Sequence, residues 1–328
     1  MNYLITGATG FIGPHLVKKL ADDGHFCRCL VRSSSQTDFL KTAGVEVVEG
    51  DITRPQSLTG LADGIDRVLH MATLGHMSNF AVTETMFEAI NVHGTRNIMT
   101  EALRAGVGRV VHCSTVAAMG ICEDVPATEE SRCNPHHPYG RSKLQAEQVV
   151  LDLVEDQDLP AVIIRFSMVY GPGDPRDILK LTRLARKGLF PKVGRRPKLT
   201  PLIHVNDAIQ GLLLAAEKGV PGEKYLITNQ DSLPFDEIRK ILQKALGVTR
   251  LPFYVPEWAA LSIASLAEKI YPLIGKTPPV SRKNIESTLA DRVFSIEKAR
   301  RELGFDPEVD PAEGLRETVT WYKQRGWV

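Results

Sequence analysis

The 328-residue sequence has no excess charge of either sign: 40 lysines and arginines stand against 39 aspartates and glutamates. A chain so balanced makes no electrostatic case for nucleic acid as a partner. It lacks any apolar run near the roughly 20 residues that a membrane span needs. The first strand-like segment begins at Tyr3, which leaves no room for a cleavable leader, so a soluble, cytoplasmic protein is expected. Cysteine is sparse. The five cysteines, Cys27, Cys29, Cys113, Cys122 and Cys133, are odd in number and show no Cys-x-x-Cys spacing, which argues against a disulfide framework or a metal site. They read as small, buried apolar residues. No internal repeat or low-complexity segment is present, and 43% of residues are hydrophobic, enough over this length for a large core.

What the sequence does contain begins at once. Tyr3-Leu4-Ile5 reads as a buried strand running into Thr6-Gly7-Ala8-Thr9-Gly10-Phe11-Ile12-Gly13 and then an amphipathic helix. Glycines suit such a turn because it is tight, because backbone must approach a pyrophosphate, and because a helix N-terminus offers free N–H groups and a positive dipole end. Pro14 fits the first helical turn, where its missing N–H costs nothing. Two residues separate Gly7 from Gly10, one more than in the usual dinucleotide fingerprint.

Further on, short β-branched or apolar runs (Phe26 to Val31, Glu46 to Glu49, Arg67 to Met71, Arg109 to Ser114, Ala161 to Phe166) alternate with helical patterns such as Met86 to Ala105. This alternation predicts an α/β fold with a doubly wound parallel sheet. From Pro172 proline and glycine recur more often and basic residues cluster, before a strand at Leu202 to Val205 and a helix at Asp207 to Glu217. A smaller, mixed C-terminal domain over 172–328 is expected to follow a first domain over 1–171, with 202–217 returning to the first.

Tyr139-Gly140-Arg141-Ser142-Lys143 opens a second helical pattern, whose four-residue spacing places Tyr139 and Lys143 on one face. An ammonium near a phenol favours the phenolate and draws its pKa toward neutrality, where it can exchange protons with an alcohol or ketone. Alone, the pair is weak. The strand Val110 to Thr115 ends in two hydroxyls, and ligands in open α/β sheets sit at the carboxyl ends of strands. Glycine loop, strand-end hydroxyl and Tyr/Lys helix, in this order, make a specific constellation.

With these motifs the chain resembles the extended short-chain dehydrogenase/reductase family, also called the NAD-dependent epimerase/dehydratase group, over almost its whole length. Gly50-Asp51-Ile52, His70-Met71-Ala72, Asn91-Val92-His93-Gly94-Thr95, Arg165 to Gly173 and His204-Val205-Asn206-Asp207 belong to the same likeness. It implies a Rossmann-type sheet, a dinucleotide-binding first domain, a substrate-binding second domain and no metal. The reaction implied is hydride transfer between nicotinamide and a carbinol or carbonyl carbon. Tyr139 would be the acid/base, Lys143 would orient ribose and lower the tyrosine pKa, and Thr115, aligned on Gly120, would hold the reacting oxygen. By the same likeness the cofactor lies against Gly7, Thr9, Gly10, Phe11, Ile12, Gly13, Asp51, Ile52, Met71, Ala72 and Thr73. Asn91, Ser114, Phe166, Met168 and Val169 complete the lining beside Tyr139 and Lys143.

Arg32, followed by Ser33-Ser34-Ser35, stands where an acidic residue would bind the ribose 2′-OH of NAD. A guanidinium with hydroxyls suits a 2′-phosphate, which favours NADP and keeps NAD as the alternative. Val116-Ala117 occupies the place of the family dehydratases' Asp-Glu pair, so sugar dehydration is not expected. Ser167, Met168 and Thr200 stand where sugar-nucleotide epimerases carry nucleotide-gripping Asn and Arg. The segment Leu251 to Ile274 is mostly apolar, and the stretch Asp291 to Phe305 resembles the ending of 3β-hydroxysteroid dehydrogenase-like and dihydroflavonol reductase-like members. The apolar segment suits a pocket for a bulky apolar alcohol or ketone, and equally a core-closing helix or dimer contact. Nine basic residues against one acidic between Arg176 and Lys198 suit either an anionic handle or a solvated helix face. His136-His137 and His204 read as structural. The expected function is thus an NAD(P)-dependent oxidoreductase, with a sugar-nucleotide epimerase and a non-enzymatic nucleotide sensor as alternatives. By analogy a homodimer is expected through the helices holding Met86 to Ala105 and Tyr139 to Val154, where Phe87, Ile90, Ile98 and Leu103 form a stripe that could instead face the sheet.

Overall fold

A computed structural model describes residues 1–75, 82–195, 198–249, 253–271, 282, 285, 289 and 291–328. Leu251, Pro252 and 272–274 of the apolar segment, and Arg196 and Pro197 of the basic run, lie outside the described residues. The strands are β1 (Asn2–Thr6), β2 (Phe26–Val31), β3 (Glu46–Glu49), β4 (Arg67–His70), β5 (Arg109–Thr115), β6 (Ala161–Phe166), β7 (Met168–Tyr170), β8 (Lys192–Val193), β9 (Leu199–Thr200), β10 (Leu202–His204), β11 (Lys224–Ile227), β12 (Leu233–Pro234) and β13 (Tyr254–Val255). Seven form one sheet in the order β11-β6-β5-β4-β1-β2-β3, with every pairing parallel. All carboxyl ends therefore lie along one edge, and the order reverses between β1 and β4, the switch point at which ligands bind. Two-stranded pairs β7–β10, β9–β12 and β8–β13 lie outside it.

The helices are α1 (Ile12–Asp22), α2 (Asp38–Thr42), α3 (Glu84–Phe87), α4 (Gly94–Arg104), α5 (Pro138–Gln157), α6 (Asp177–Lys187), α7 (Val205–Lys218), α8 (Phe235–Leu246), α9 (Glu257–Ile270), α10 (Glu297–Leu303) and α11 (Pro311–Gln324). A π-helical turn, Glu88–His93, joins α3 to α4. The sheet is buried on both faces. Ile5, Val111, Ile164, Ala208, Leu212, Ile227 and Leu303 share one core; Leu4, Val68, Val110, Ile163, Ile98 and Val150 share the other. Strand β11 (Lys224-Tyr225-Leu226-Ile227) had no place in the sequence reading. Its partner β6 makes it a strand.

Phe87 and Ile98, expected as part of a surface stripe, are only 6% and 1% exposed within this single chain. Ile90 and Leu103 pack on the Ile98 core. The stripe faces inward, toward the sheet and α5. A third core under α6, α8 and α11 contains Tyr170, Ile178, Phe190, Leu242, Leu315 and Tyr322. Among the described residues no helix is long and apolar enough to cross a membrane.

Candidate active site

The glycine loop leaves β1 and backs onto the exit of β4. Gly7 has φ +77°, and a Cβ there would lie 2.8 Å from the Ala72 nitrogen and the Met71 carbonyl carbon. A Cβ on Gly13 would lie 2.1 Å from the Ala8 carbonyl oxygen, so helix α1 can dock under the loop only because that atom is missing. Gly10 donates its N–H to Gly7 O at 3.0 Å. Thr9 and Gly10 are exposed at the crest of the turn. The first turn of α1 has no acidic residue, and its N-cap, Phe11, makes no side-chain cap bond, which leaves the dipole end open to an anion.

Thr6 and Asn91 brace this edge. Thr6 Oγ1 accepts from Ala72 N at 3.1 Å and meets His70 Nδ1 at 2.7 Å. Asn91, buried in the π-helical turn, accepts at Oδ1 from Thr73 Oγ1 at 2.9 Å and Leu74 N at 2.7 Å. Its Nδ2 donates to Leu74 O at 3.1 Å and Ser142 Oγ at 2.9 Å. One side chain thus ties the loop after β4 to helix α5, a task suited to the widened turn that a π-bulge provides.

Asp51 Oδ1 accepts from Thr53 N and Oγ1, both at 2.8 Å. The Thr53 backbone N–H is the chief cause of its carboxyl lying below the usual range. Arg32, exposed at the end of β2, also lowers it by charge. Ile52 packs on the bare Cα of Gly94, where a Cβ would come within 2.7 Å of its Cδ1.

Thr115 ends β5 and its Oγ1 accepts from Ala117 N at 3.2 Å. Helix α5 begins with Pro138 in its first turn, and Gly140 lets it approach: a Cβ there would lie 2.4 Å from Ala117 O. This contact brings the Tyr139 phenol near the Thr115 hydroxyl, which favours its ionised form. The rings of Phe87 and Tyr139 lie 6.2 Å apart. Lys143, 2% exposed, donates through Nζ to Cys113 O at 2.8 Å and lies 3.2 Å from His112 Nε2.

Two expectations change here. Burial pushes the Tyr139 phenol above its ordinary value, opposed by the charge of Arg176 and then by the Thr115 hydroxyl, and Lys143 is not among the causes. The lysine's own ammonium is drawn down to about 8, chiefly by burial, because it is held against strand β5. Ser114, expected in the cofactor lining, turns its hydroxyl to the other side of the strand, where it donates to Glu147 Oε1. Successive strand residues face opposite ways, so Thr115 and Ser114 cannot serve one ligand through both hydroxyls.

Arg176 was noticed in the sequence only as the start of a basic run. Its guanidinium lies 5.0 Å over the Phe11 ring of the glycine loop. It donates to Asp174 Oδ1 at 2.8 Å and to Val169 O at 3.0 Å. Tyr322, whose phenol donates to Asp174 O at 2.6 Å, anchors that loop from α11. No sequence spacing links Arg176 to Tyr139; the β7 exit loop does. Phe166 and Val169 are buried and Met168 is half-buried at the same edge, while Ser167 Oγ is buried without a hydrogen-bond partner. Phe294, from the ending motif, packs with Val116, Met119 and Ala127 beneath the Thr115 turn. His204 caps α7 through Asn206 N at 3.4 Å and stacks edge-on with Tyr170.

A family model described as NAD dependent epimerase/dehydratase family matches residues 3–228. The chain is 30% identical to a 2-alkyl-3-oxoalkanoate reductase of Stenotrophomonas maltophilia, over 96% of this chain and 98% of that protein. It is 29% identical to a 3 beta-hydroxysteroid dehydrogenase/Delta 5-->4-isomerase of Mycobacterium tuberculosis, over 97% and 90% respectively. Among solved structures it matches DesIV, a dTDP-glucose 4,6-dehydratase of Streptomyces venezuelae with NAD and TYD bound. That match has a TM-score of 0.81 and 28% identity, over 100% of this chain and 98% of the other.

Proposed function

The chain belongs to the NAD dependent epimerase/dehydratase family and is an NAD(P)-dependent dehydrogenase/reductase of the extended short-chain type; we propose that it interconverts a secondary alcohol and a ketone on a bulky, largely apolar substrate. The observation that carries this reading is the placement of Tyr139, at the start of α5, beside Thr115, at the end of β5, at the carboxyl edge of the sheet that also carries the glycine loop.

The residues fit a dinucleotide. The bare Cα atoms of Gly7 and Gly13 and the uncapped start of α1 would hold its pyrophosphate, and Asp51 with Arg32 would face the adenosine end. Lys143 and Asn91 line the path toward Tyr139. A nicotinamide bound there supplies or accepts the hydride. Tyr139, held above its ordinary pKa by burial, rests protonated and is ready to give its proton to a carbonyl oxygen, while the Thr115 hydroxyl holds that oxygen in line. Val116-Ala117 supplies no second acid/base, so the chemistry ends at the alcohol. Arg32 beside three serines supports NADP over NAD.

Mass spectrometry of co-purifying nucleotide, fluorescence titration of the stripped protein with NADPH and NADH, and turnover of hydrophobic ketones and sterols test the proposal. Exchangeable NADPH, net cofactor consumption and loss of turnover in Tyr139→Phe are expected. Tightly retained NAD without net consumption overturns it in favour of sugar-nucleotide epimerisation. One feature favours that second reading: a cavity of about 240 Å³ whose lining includes the cations Lys192, Arg195 and Lys198 beside Lys240, which is itself paired with Asp236 and Glu237 of the same lining.

A further inference from the structure

Lys143 has a buried neighbour that the reaction as described does not use. His112 lies on β5, three residues before Thr115, and is fully buried. Its Nε2 stands 3.2 Å from Lys143 Nζ. An ammonium has three protons and no lone pair, so this contact requires His112 to present a bare Nε2 and to carry its proton on Nδ1. Nδ1 is buried and has no hydrogen-bond partner. A buried N–H left unpaired is costly, and a phenylalanine or leucine would fill the same space without that cost. The histidine is therefore poorly explained as packing and well explained as an acceptor.

We propose that His112 is a positioning residue for Lys143: its neutral imidazole, in the Nδ1–H tautomer, joins the Cys113 carbonyl in fixing the lysine ammonium against β5 and keeping it charged in a buried place. The inference rests on the reading of Lys143 as part of the active site. The groups that face this pair are His112 and Cys113 on β5, His70 on β4 and Glu147 one turn along α5. His70 is engaged at both nitrogens, with Thr6 Oγ1 at 2.7 Å and Thr95 Oγ1 at 3.0 Å. Its ring centroid lies 5.4 Å from that of His112, so it walls the imidazole and does not compete for the ammonium. Burial first, and then the charge of Lys143, hold His112 far below the ordinary histidine range, which keeps it an acceptor at any working pH. The ammonium, already drawn down to about 8, has little margin for losing one.

The test titrates Lys143 directly in the cofactor-free protein, by NMR of isotope-labelled lysine assigned with Lys143→Met. In His112→Phe the Lys143 midpoint is expected to fall by about one pH unit, because a charge-assisted bond is lost from the charged form. In His112→Gln, whose amide oxygen can accept, most of the shift is expected to return. Nitrogen NMR of the wild-type ring is expected to show His112 protonated at Nδ1. An unchanged midpoint in His112→Phe, or a ring protonated at Nε2, overturns the proposal. Should His112→Phe fail to fold, the wild-type ring tautomer decides. Turnover separates the two levels of argument. If Lys143→Met is inactive while His112→Phe keeps the wild-type pH profile, only the positioning role falls; if Lys143→Met is fully active, the functional reading of Lys143 falls.

Discussion

Glu147 and Arg165 face each other at 2.7 Å with 1% and 2% of their side chains exposed. The pair joins α5 to β6 behind the strand that ends in Thr115. Ser114 donates to the same carboxylate, and Arg165 reaches Glu129 O at 3.3 Å. Breaking such a pair leaves an uncompensated charge in the core. Glu147→Leu is expected to cost about 3–5 kcal/mol, whereas the double change Glu147→Leu with Arg165→Met should recover much of it. Chemical denaturation of the three variants checks this; additive losses would mean that the two residues do not act as a pair.

Lys143 carries a stability cost that depends on pH. Its folded-state pKa of about 8 lies below the ordinary 10.5. Below the lower value both states are protonated and the full cost of burying the ammonium is felt. Between the two values the folded state loses its proton first, so stability rises with pH. Lys143→Met is therefore expected to be more stable than wild type at neutral pH, by about 3 kcal/mol at most, with the gap closing as pH approaches the ordinary value. Melting temperatures across that range test it, and parallel curves for the two proteins would refute the account.

Arg32 is exposed at the end of β2, with a backbone N–H held by Ser35 Oγ at 3.2 Å. Replacement by alanine should weaken NADPH roughly 10- to 100-fold through loss of a charge-assisted phosphate bond and leave NADH nearly unchanged. Fluorescence titration measures both. An unaltered ratio would move the cofactor assignment to NAD.

Arg176 lowers the pKa of Tyr139 by its charge. In Arg176→Met the phenol should ionise at higher pH, so the rising limb of alcohol oxidation should move upward, while ketone reduction at neutral pH, which uses the protonated phenol, should be affected less. A limb that stays in place would show that Arg176 does not reach the reacting group.

The glycine loop was legible in the sequence because its spacing carries backbone geometry: Gly7 needs a positive φ, and Gly13 needs room for Ala8. The Tyr139/Lys143 pair was legible because a helix fixes which residues share a face. Six of the seven strands of the sheet were legible to within a residue or so, since each shows an apolar or β-branched run. β11 was hidden although it is as long as β3 and β4; its strand character comes from lying beside β6. The inward turn of Phe87 and Ile98 was also undecided, because a helix announces an apolar stripe without saying what covers it.

By itself, then, the sequence marked most of the elements, the tight glycine loop and the shared helix face of Tyr139 and Lys143, all set by local geometry. Tertiary structure decided the electrostatics. Whether a phenol sits high or low, whether a lysine reaches a tyrosine or a strand carbonyl, and which distant arginine lies over the glycine loop depend on burial and on through-space neighbours. Residues as far apart as Phe11 and Arg176, or His112 and Lys143, meet only when the sheet is assembled, and no spacing along the chain encodes that meeting.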